Sequence, residues 1–521
     1  MRMVVESSLT RAALAPALTD VSGARSRIRF ALLSAAVVAS FIAAYNLSPL
    51  YASNQNTKFV IGMARAGVGH LNQDFLAHTA DPFPLFSLIV EFTHRFLSPW
   101  MFYVYAGALM AIYVYAMDGL ARFVLRHQYL NARPAFLAML IVSHCAALRT
   151  FFLSYTHHDV MGLMQDGWAG QYILGPFFQP SMFGVFLLVA VRWFLERRFA
   201  ACLMAFAGAV IMHPAYLVIG TALLVGMIVS LLIRRHWKTA TAFAAVGIAS
   251  MTPMVLYLAR SFPAADPETW ARAQQVLMFE RIPRHALMSH FLSTGAILQA
   301  AWVVAAIIMI RRTPLFVPFV LLVGVGIFMM VFAAAGSVRL LEVMPWRISA
   351  LAVPLATAIN LAWLAPIVAQ RTARLQLWPA VAMVLCVVGG AVTQWMETDA
   401  VKRSPSYEVT QYVKHHAAAK ELYVVPSSFV RFRLEAEAPT FVTFKSHPNR
   451  DVELLEWHRR YLLNEELQAN PDPAMRERAL DDLISREKAT HFILRSDVPL
   501  SRKDLEPVYA DASYTLYRLK Q

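Results

Sequence analysis

The chain has 521 residues, 58% of them apolar and 15% charged, with a formal net charge of +14. Soluble domains run at about 45–50% apolar and about 25% charged, so this composition argues against a soluble enzyme, a disordered chain and a disulfide-built scaffold, and fits a polytopic membrane protein. The excess charge is no nucleic-acid footprint: residues 1–395 hold 28 Lys and Arg against 13 Asp and Glu, and residues 396–521 hold 19 against 20. Cations set between apolar stretches record topology.

Residues 1–29 form a leader with Arg2, Arg11, Arg25, Arg27 and Arg29. The stretch after it is about 20 residues long and lacks a small-residue cleavage site, which argues against a removed signal. A crossing helix needs about 20 apolar residues. Eleven spans are expected, at 30–50, 99–117, 134–152, 180–195, 199–213, 215–233, 239–259, 291–310, 314–335, 347–369 and 377–395. The fourth and fifth are short and meet at Glu196-Arg197-Arg198. Eighteen of the 28 cations fall on the leader side of this alternation and ten on the other. That bias puts the N-terminus in the cytoplasm and, after an odd number of crossings, the C-terminal part outside.

Three long loops, 51–98, 153–179 and 260–290, then lie on the outer side. Long loops are where chemistry tends to sit. Residues 396–521 have the pattern of a small α/β domain. Strands are expected at 421–425, 440–444, 491–494 and 514–519, where β-branched and aromatic residues gather, and helices at 407–416 and 451–468. The fold class is therefore mainly α: a polytopic helical bundle, 30–395, with a small extracytoplasmic α/β domain. Cys145, Cys202 and Cys386 all fall inside apolar stretches, without metal-ligand spacing, and His144 in the third span is expected to make a helix–helix contact.

The first outer loop carries Asn54-Gln55-Asn56-Thr57-Lys58-Phe59, then Leu71-Asn72-Gln73-Asp74-Phe75, then Asp81-Pro82-Phe83-Pro84-Leu85-Phe86. Residues 56–66 and 84–97 have an apolar face at helical spacing and suit the membrane interface. The C-terminal part adds Phe429-Val430-Arg431-Phe432-Arg433, Phe441-Val442-Thr443-Phe444-Lys445 and Glu456-Trp457-His458-Arg459-Arg460. This arrangement resembles the GT-C superfamily of membrane glycosyltransferases, and most of all bacterial members with a C-terminal periplasmic domain. The likeness covers the whole topology through short motifs. It implies chemistry on the outer face of a bacterial plasma membrane, a polyprenyl-phosphate or -diphosphate sugar as donor, and an acceptor glycan, lipid or protein. It departs in one respect: many members carry adjacent acidic residues, and here Asp74 and Asp81 are seven apart.

By that resemblance Asp74 is the first candidate base and Asp81 the second. A carboxylate is needed near the acceptor hydroxyl and cations near the leaving phosphate. The alternatives are that Asp74 caps a helix and Asp81 opens the turn at Pro82. Asn54 and Gln55 either meet substrate or fold their loop. In the second loop, His157-His158-Asp159 are candidates for substrate contact or for a divalent metal, the one cofactor considered. Asp166, beside Gly167 and Trp168, can meet a sugar over an aromatic face, or Trp168 is an interfacial anchor. His213 ends the fifth span and is weighed between a site and a hydrated helix end. Arg339 and Arg347 flank Pro345-Trp346, and guanidinium suits phosphate; headgroup anchoring, or a pair from Arg339 to Glu342, is the alternative. Arg149 is a third cation candidate. Arg431 and Arg433 are expected to share a face of an extended segment, reaching either the site or a salt bridge.

A transporter or flippase of lipid-linked glycans is the second functional class. It should show repeat symmetry and charged mid-membrane helices, and the sequence has neither. A non-catalytic glycan-assembly protein on the same scaffold is the third. No Gly-rich phosphate loop supports a sugar-nucleotide enzyme, and no nucleic-acid partner is expected.

Overall fold

The computed structural model describes residues 24–372, 377–498, 500 and 502–520. Most of the expected leader, and residues 373–376 of the loop before the last span, lie outside the described residues.

Counting helices of eight residues or more, the bundle comprises α1 (Ala24–Tyr45), α2 (Pro84–Phe96), α3 (Met101–Leu125), α4 (Tyr129–Ser143), α5 (Ala146–Thr156), α6 (Val185–Leu195), α7 (Phe199–Met212), α8 (Tyr216–Ile233), α9 (Trp237–Ser261), α10 (Pro267–Gln275), α11 (Thr294–Met309), α12 (Phe316–Ala334), α13 (Ser349–Arg371) and α14 (Trp378–Lys402). Among the described residues, six helical stretches are long and apolar enough to cross a membrane, and four apolar helices are shorter. The chain is thus a mainly α, multi-pass type of structure.

α13 is the central element. It packs on α4, α11 and α3 and is buried almost continuously from Ala350 to Ala362. Its alanines let those neighbours approach closely, as packing without a hydrophobic driving force requires. α9 and α14 are apolar all round and buried along little of their length, the pattern of helices whose outer faces meet lipid.

The expected third span is in fact two helices, α4 and α5. The break is at His144 and Cys145, where Cys145 is extended (φ −72°, ψ 120°). Side chains satisfy the freed carbonyls: His144 Nδ1 lies 2.9 Å from the Leu140 oxygen and Gln165 Nε2 donates to the Ser143 oxygen (2.6 Å), while His144 Nε2 lies 2.9 Å from the Tyr113 hydroxyl.

The C-terminal domain contains α15 (Tyr407–His416), α16 (Asp451–Ala469), α17 (Pro473–Ser485) and a sheet of β1 (Tyr423–Val424), β2 (His491–Arg495), β3 (Leu505–Ala510) and β4 (Tyr514–Leu519), in the order β1-β2-β4-β3. β1 and β2 are parallel; β4 is antiparallel to β2 and β3. Two expectations are corrected. Residues 440–444 form a single bridge, Tyr423 to Thr440, because the chain then leaves the sheet to cover the bundle. Arg431 and Arg433 do not share a face, since Phe432–Glu435 is a helical turn. β3 and α17 were not expected.

The loops 51–98 and 260–290 both touch this domain, and 153–179 touches 260–290. All three therefore gather on one end of the bundle, the domain face. Docking is dense. His70 N–H donates to the Glu437 carbonyl (2.9 Å), Ser446 Oγ to the Asn56 carbonyl (2.9 Å), and Ala80 N–H to the Glu453 carboxylate (3.1 Å). Gly69 (φ +51°) makes the first of these possible: a Cβ there would sit 2.2 Å from the Glu437 oxygen.

Candidate functional site

The domain face carries two polar groups. The first surrounds a cleft lined by Thr57, Lys58, Asp81, Phe83, His447 and Asn449, among others. Lys58 closes the helical turn Gln55–Lys58 and its Nζ lies 4.1 Å from the Phe83 ring centroid. Burial pushes the Lys58 ammonium down to about 7; the charges of Arg347, Lys445 and Arg281 push the same way, and Asp81 opposes them. Asp81 Oδ1 accepts from Phe83 N–H (2.9 Å), and Oδ2 faces Arg65 at 3.6 Å.

The cations around Lys58 come from three parts of the sequence. Arg281 donates to the Lys445 carbonyl (2.6 Å) and stands over the Phe444 ring, while its buried Nε has no partner. Burial brings it down to about 10. Arg347, just before α13, likewise has a buried Nε without a partner. Lys445 is lowered by burial and by Arg281. His447 is held neutral, at about 3, by burial and by the charges of Arg281, Lys58 and Lys445, against a Pro448 carbonyl 2.8 Å from Nδ1. Burial, Lys445, Arg347 and Arg281 also lower His285, although the Ala169 carbonyl opposes them. The charges of Arg281, Arg347 and Lys445 thus reach Lys58 at the cleft, and one carboxylate, Asp81, opposes them, an electropositive setting of the kind that favours an anion.

The second group is on the 153–179 loop. Arg149 of α5 pairs with both Asp159 and Asp166; its Nε lies 3.0 Å from Asp159 Oδ2. Asp166 is 8% exposed and its Oδ1 has no partner. Burial pushes its carboxyl up to about 6, with Arg149 opposing. Asn54 joins this region by donating to Gln179 Oε1 (3.0 Å), and Gln179 and Tyr172 both close on Gly175, where a Cβ would sit 2.8 Å and 2.5 Å from them.

The structure thus brings Asp81, Arg347 and His213 together at the first group; His213 contacts the Phe83 ring at 4.9 Å and feels the charges of Arg347 and Lys58. It brings Arg149, Asp159, Asp166 and Asn54 together at the second. The other candidates lie elsewhere. Asp74 is 0% exposed and fully engaged: Oδ2 takes Arg433 Nε (2.7 Å) and Thr440 N–H (2.8 Å), and Oδ1 takes Leu76 N–H (2.9 Å). It is the helix cap of the alternative reading and an inter-domain tie, and all three hydrogen bonds come from the protein itself. Gln55 folds its own loop, accepting from Tyr51 and Ala52 N–H and donating to the Phe178 carbonyl. His157 and His158 are exposed. Among the described residues no three His, Cys, Asp or Glu gather as a metal would need; Asp159 is taken by Arg149. Arg339 is exposed and acts on Glu342. Arg431 ties the Leu50 carbonyl (2.6 Å) to Glu435.

Sequence reasoning missed Lys58, Arg281, His285, Lys445 and His447. One signal was available: Lys58 is one of two lysines among the 28 cations before residue 396, and lysine is the side chain whose charge responds most to burial.

A family described as a domain of unknown function, DUF6798, matches residues 404–463. This span includes Arg433, Lys445 and His447, so it contributes both to the docking and to the cleft. No curated protein matches the chain.

Proposed function

We propose that the chain is an integral-membrane glycosyltransferase that takes a sugar from a polyprenyl-phosphate or -diphosphate donor at its domain face. The observation that carries the reading is the group of cations around Lys58 at the cleft, Arg281, Arg347 and Lys445, whose charges all act on Lys58 and among which two buried guanidinium Nε atoms have no hydrogen-bond partner. An anionic leaving group supplies the missing charge, and the cations stabilise it as the glycosidic bond to phosphate breaks. Asp81 opposes the loss of the Lys58 charge. The lipid-facing bundle directly beneath provides for the isoprenoid tail, and the GT-C resemblance points to the same chemistry. In this reading the bundle crosses a bacterial plasma membrane eleven times, with the N-terminus cytoplasmic and the domain face outside, as the arginine bias favours.

The test is mass spectrometry of lipids from a deletion strain, a complemented strain and a strain carrying Lys58→Gln with Arg347→Gln. An isoprenoid-linked sugar should accumulate in the first and third on the outer leaflet. Accumulation on the inner leaflet alone points to flipping; none at all sinks the reading.

A further inference from the structure

Lys58 and Asp81 line the same cleft with opposite charges and do not pair with each other. Lys58 Nζ lies 4.1 Å from the Phe83 ring centroid and makes no hydrogen bond among the described residues. Asp81 is 7% exposed, and its Oδ2 has no hydrogen-bond partner. The one ion pair of Asp81 among the described residues is with Arg65. Its Nη1 stands 3.6 Å from Oδ2, beyond hydrogen-bond reach, on a side chain 48% exposed.

The carboxylate is held in place. Oδ1 accepts from Phe83 N–H (2.9 Å), the Asp81 carbonyl accepts the Tyr257 hydroxyl (2.5 Å), and Pro82 stiffens the chain between Asp81 and Phe83. Phe83 is a shared wall: its backbone steadies the acid and its ring lies against the ammonium. The two charges therefore feel each other without a bond. A buried carboxylate oxygen without a partner is costly, and so is a buried ammonium with idle donors. A direct bridge would relieve both costs, yet the fold keeps the two groups apart. What relieves them is a ligand that carries an anion for Lys58 and a donor for Asp81 Oδ2. A hydroxyl can bond Oδ2, but a charged donor makes a hydrogen bond about twice as strong. Asp81 is the only negative charge the lining offers such a donor, since His447 is held neutral and Thr57, Thr79 and Asn449 carry no charge.

Resting on the reading of the cleft as a phosphate site, we infer that its ligand is a zwitterion: a phosphate ester with a primary ammonium, the phosphate toward Lys58 and the ammonium on Asp81 Oδ2. Two sources have this chemistry, an isoprenoid-linked sugar phosphate with a free amino group and a phosphoethanolamine headgroup. Asp81 is then a specificity-determining residue that reads the amine.

The experiment is calorimetry on the purified full-length protein at pH 6, below the Lys58 value of about 7. The probes are glucosamine 1-phosphate, its N-acetyl derivative, glucose 1-phosphate, phosphoethanolamine and inorganic phosphate. Wild type should bind glucosamine 1-phosphate about tenfold tighter than glucose 1-phosphate, and N-acetylation should erase the gain, which tests the point without a substitution. Asp81→Asn should bring the ratio of the two affinities close to one. The ratio cancels the effect of Asp81 on the Lys58 charge, which both probes share, and retained binding of inorganic phosphate shows that the variant is folded. Lys58→Gln should weaken both probes and keep the ratio. The source is read in cells. An isoprenoid lipid accumulated by the deletion strain that carries a free amine, seen by mass spectrometry after acetic anhydride treatment, assigns the site to the donor sugar. An accumulated lipid without an amine, with phosphoethanolamine binding that Asp81→Asn abolishes, assigns it to the headgroup. A wild-type ratio near one, or a ratio unchanged in Asp81→Asn, overturns the ammonium site and leaves the phosphate cleft standing. No binding of any phosphate probe by wild type overturns the phosphate cleft itself, and the inference with it.

Discussion

Asp74 and Arg433, 359 residues apart, form an ion pair at 2.7 Å in which both side chains are almost completely buried. It joins the first loop of the bundle to the C-terminal domain. Three N–H donors share the Asp74 carboxylate, so its charge is compensated on every side. Removing one partner of such a pair strands the other, at a cost of about 3–5 kcal/mol. Asp74→Asn and Arg433→Met should each lower the melting temperature and open the junction near residues 70–80 to protease. A melting curve unchanged in either variant would contradict a tying role. Replacing both with apolar residues of similar size should recover part of the loss, which a catalytic role would not predict.

Anion binding at the cleft should depend on pH through Lys58. Its free-site value, about 7, lies below the ordinary lysine value because of burial and of Arg347. Above that value the ammonium is neutral and contributes little; below it the full charge is present. The affinity for pyrophosphate, measured by calorimetry, should therefore rise as pH falls through about 7 and level off below it. Asp81→Asn removes the one opposing charge, so Lys58 loses its proton at lower pH and the rise should move to lower pH. Lys58→Gln should flatten that step; a step of the same size in this variant would show that another group carries it.

Gly69 has a more local consequence. An alanine there would be strained at φ +51° and would collide with the Glu437 oxygen. Gly69→Ala should weaken docking by roughly 1–3 kcal/mol, visible as faster hydrogen exchange at His70 N–H. Gly67, also at positive φ, has nothing within 4 Å of the added methyl, so Gly67→Ala should pay the strain alone and be the milder change.

Arg149 holds Asp166 against the effect of burial. Arg149→Met should leave that carboxyl protonated to a higher pH than about 6, and carbodiimide labelling should persist correspondingly further toward neutrality. Labelling that ends at the same pH as in wild type would mean that Arg149 does not set the acidity.

Much of the architecture was legible because a bilayer imposes simple rules. Apolar runs placed most helix ends to within about eight residues, and α15 and α16 followed from periodicity. What failed depended on tertiary partners. Ser143-His144-Cys145 lies inside an apolar run, and only the bonds to the Leu140 and Ser143 carbonyls from His144 and the distant Gln165 show why the helix can break there. Residues 440–444 have strand composition, yet Lys445, Ser446 and His447 are drawn onto the bundle by Arg281 and Asn56. The site was half legible for the same reason. Asp81, Asp166, Arg149 and Arg347 stand out locally as polar residues beside apolar spans. The link between Lys58 and Lys445 spans nearly 390 positions and has no local signature, and Asp74 looked like a loop acid because Arg433 lies in another domain.

The dispersal of the cleft along the chain sets an order of events in biosynthesis. Lys58 and Asp81 emerge early, Arg281 and Arg347 midway, and Lys445 and His447 only after the last helix has left the ribosome. A product that stops before residue 433 carries Lys58, Arg281 and Arg347 without Lys445, and it lacks the Arg433 partner of Asp74. Completion of the polypeptide is therefore what assembles the cleft, and a prematurely terminated copy is left with a buried Asp74 carboxylate that has no guanidinium to meet it.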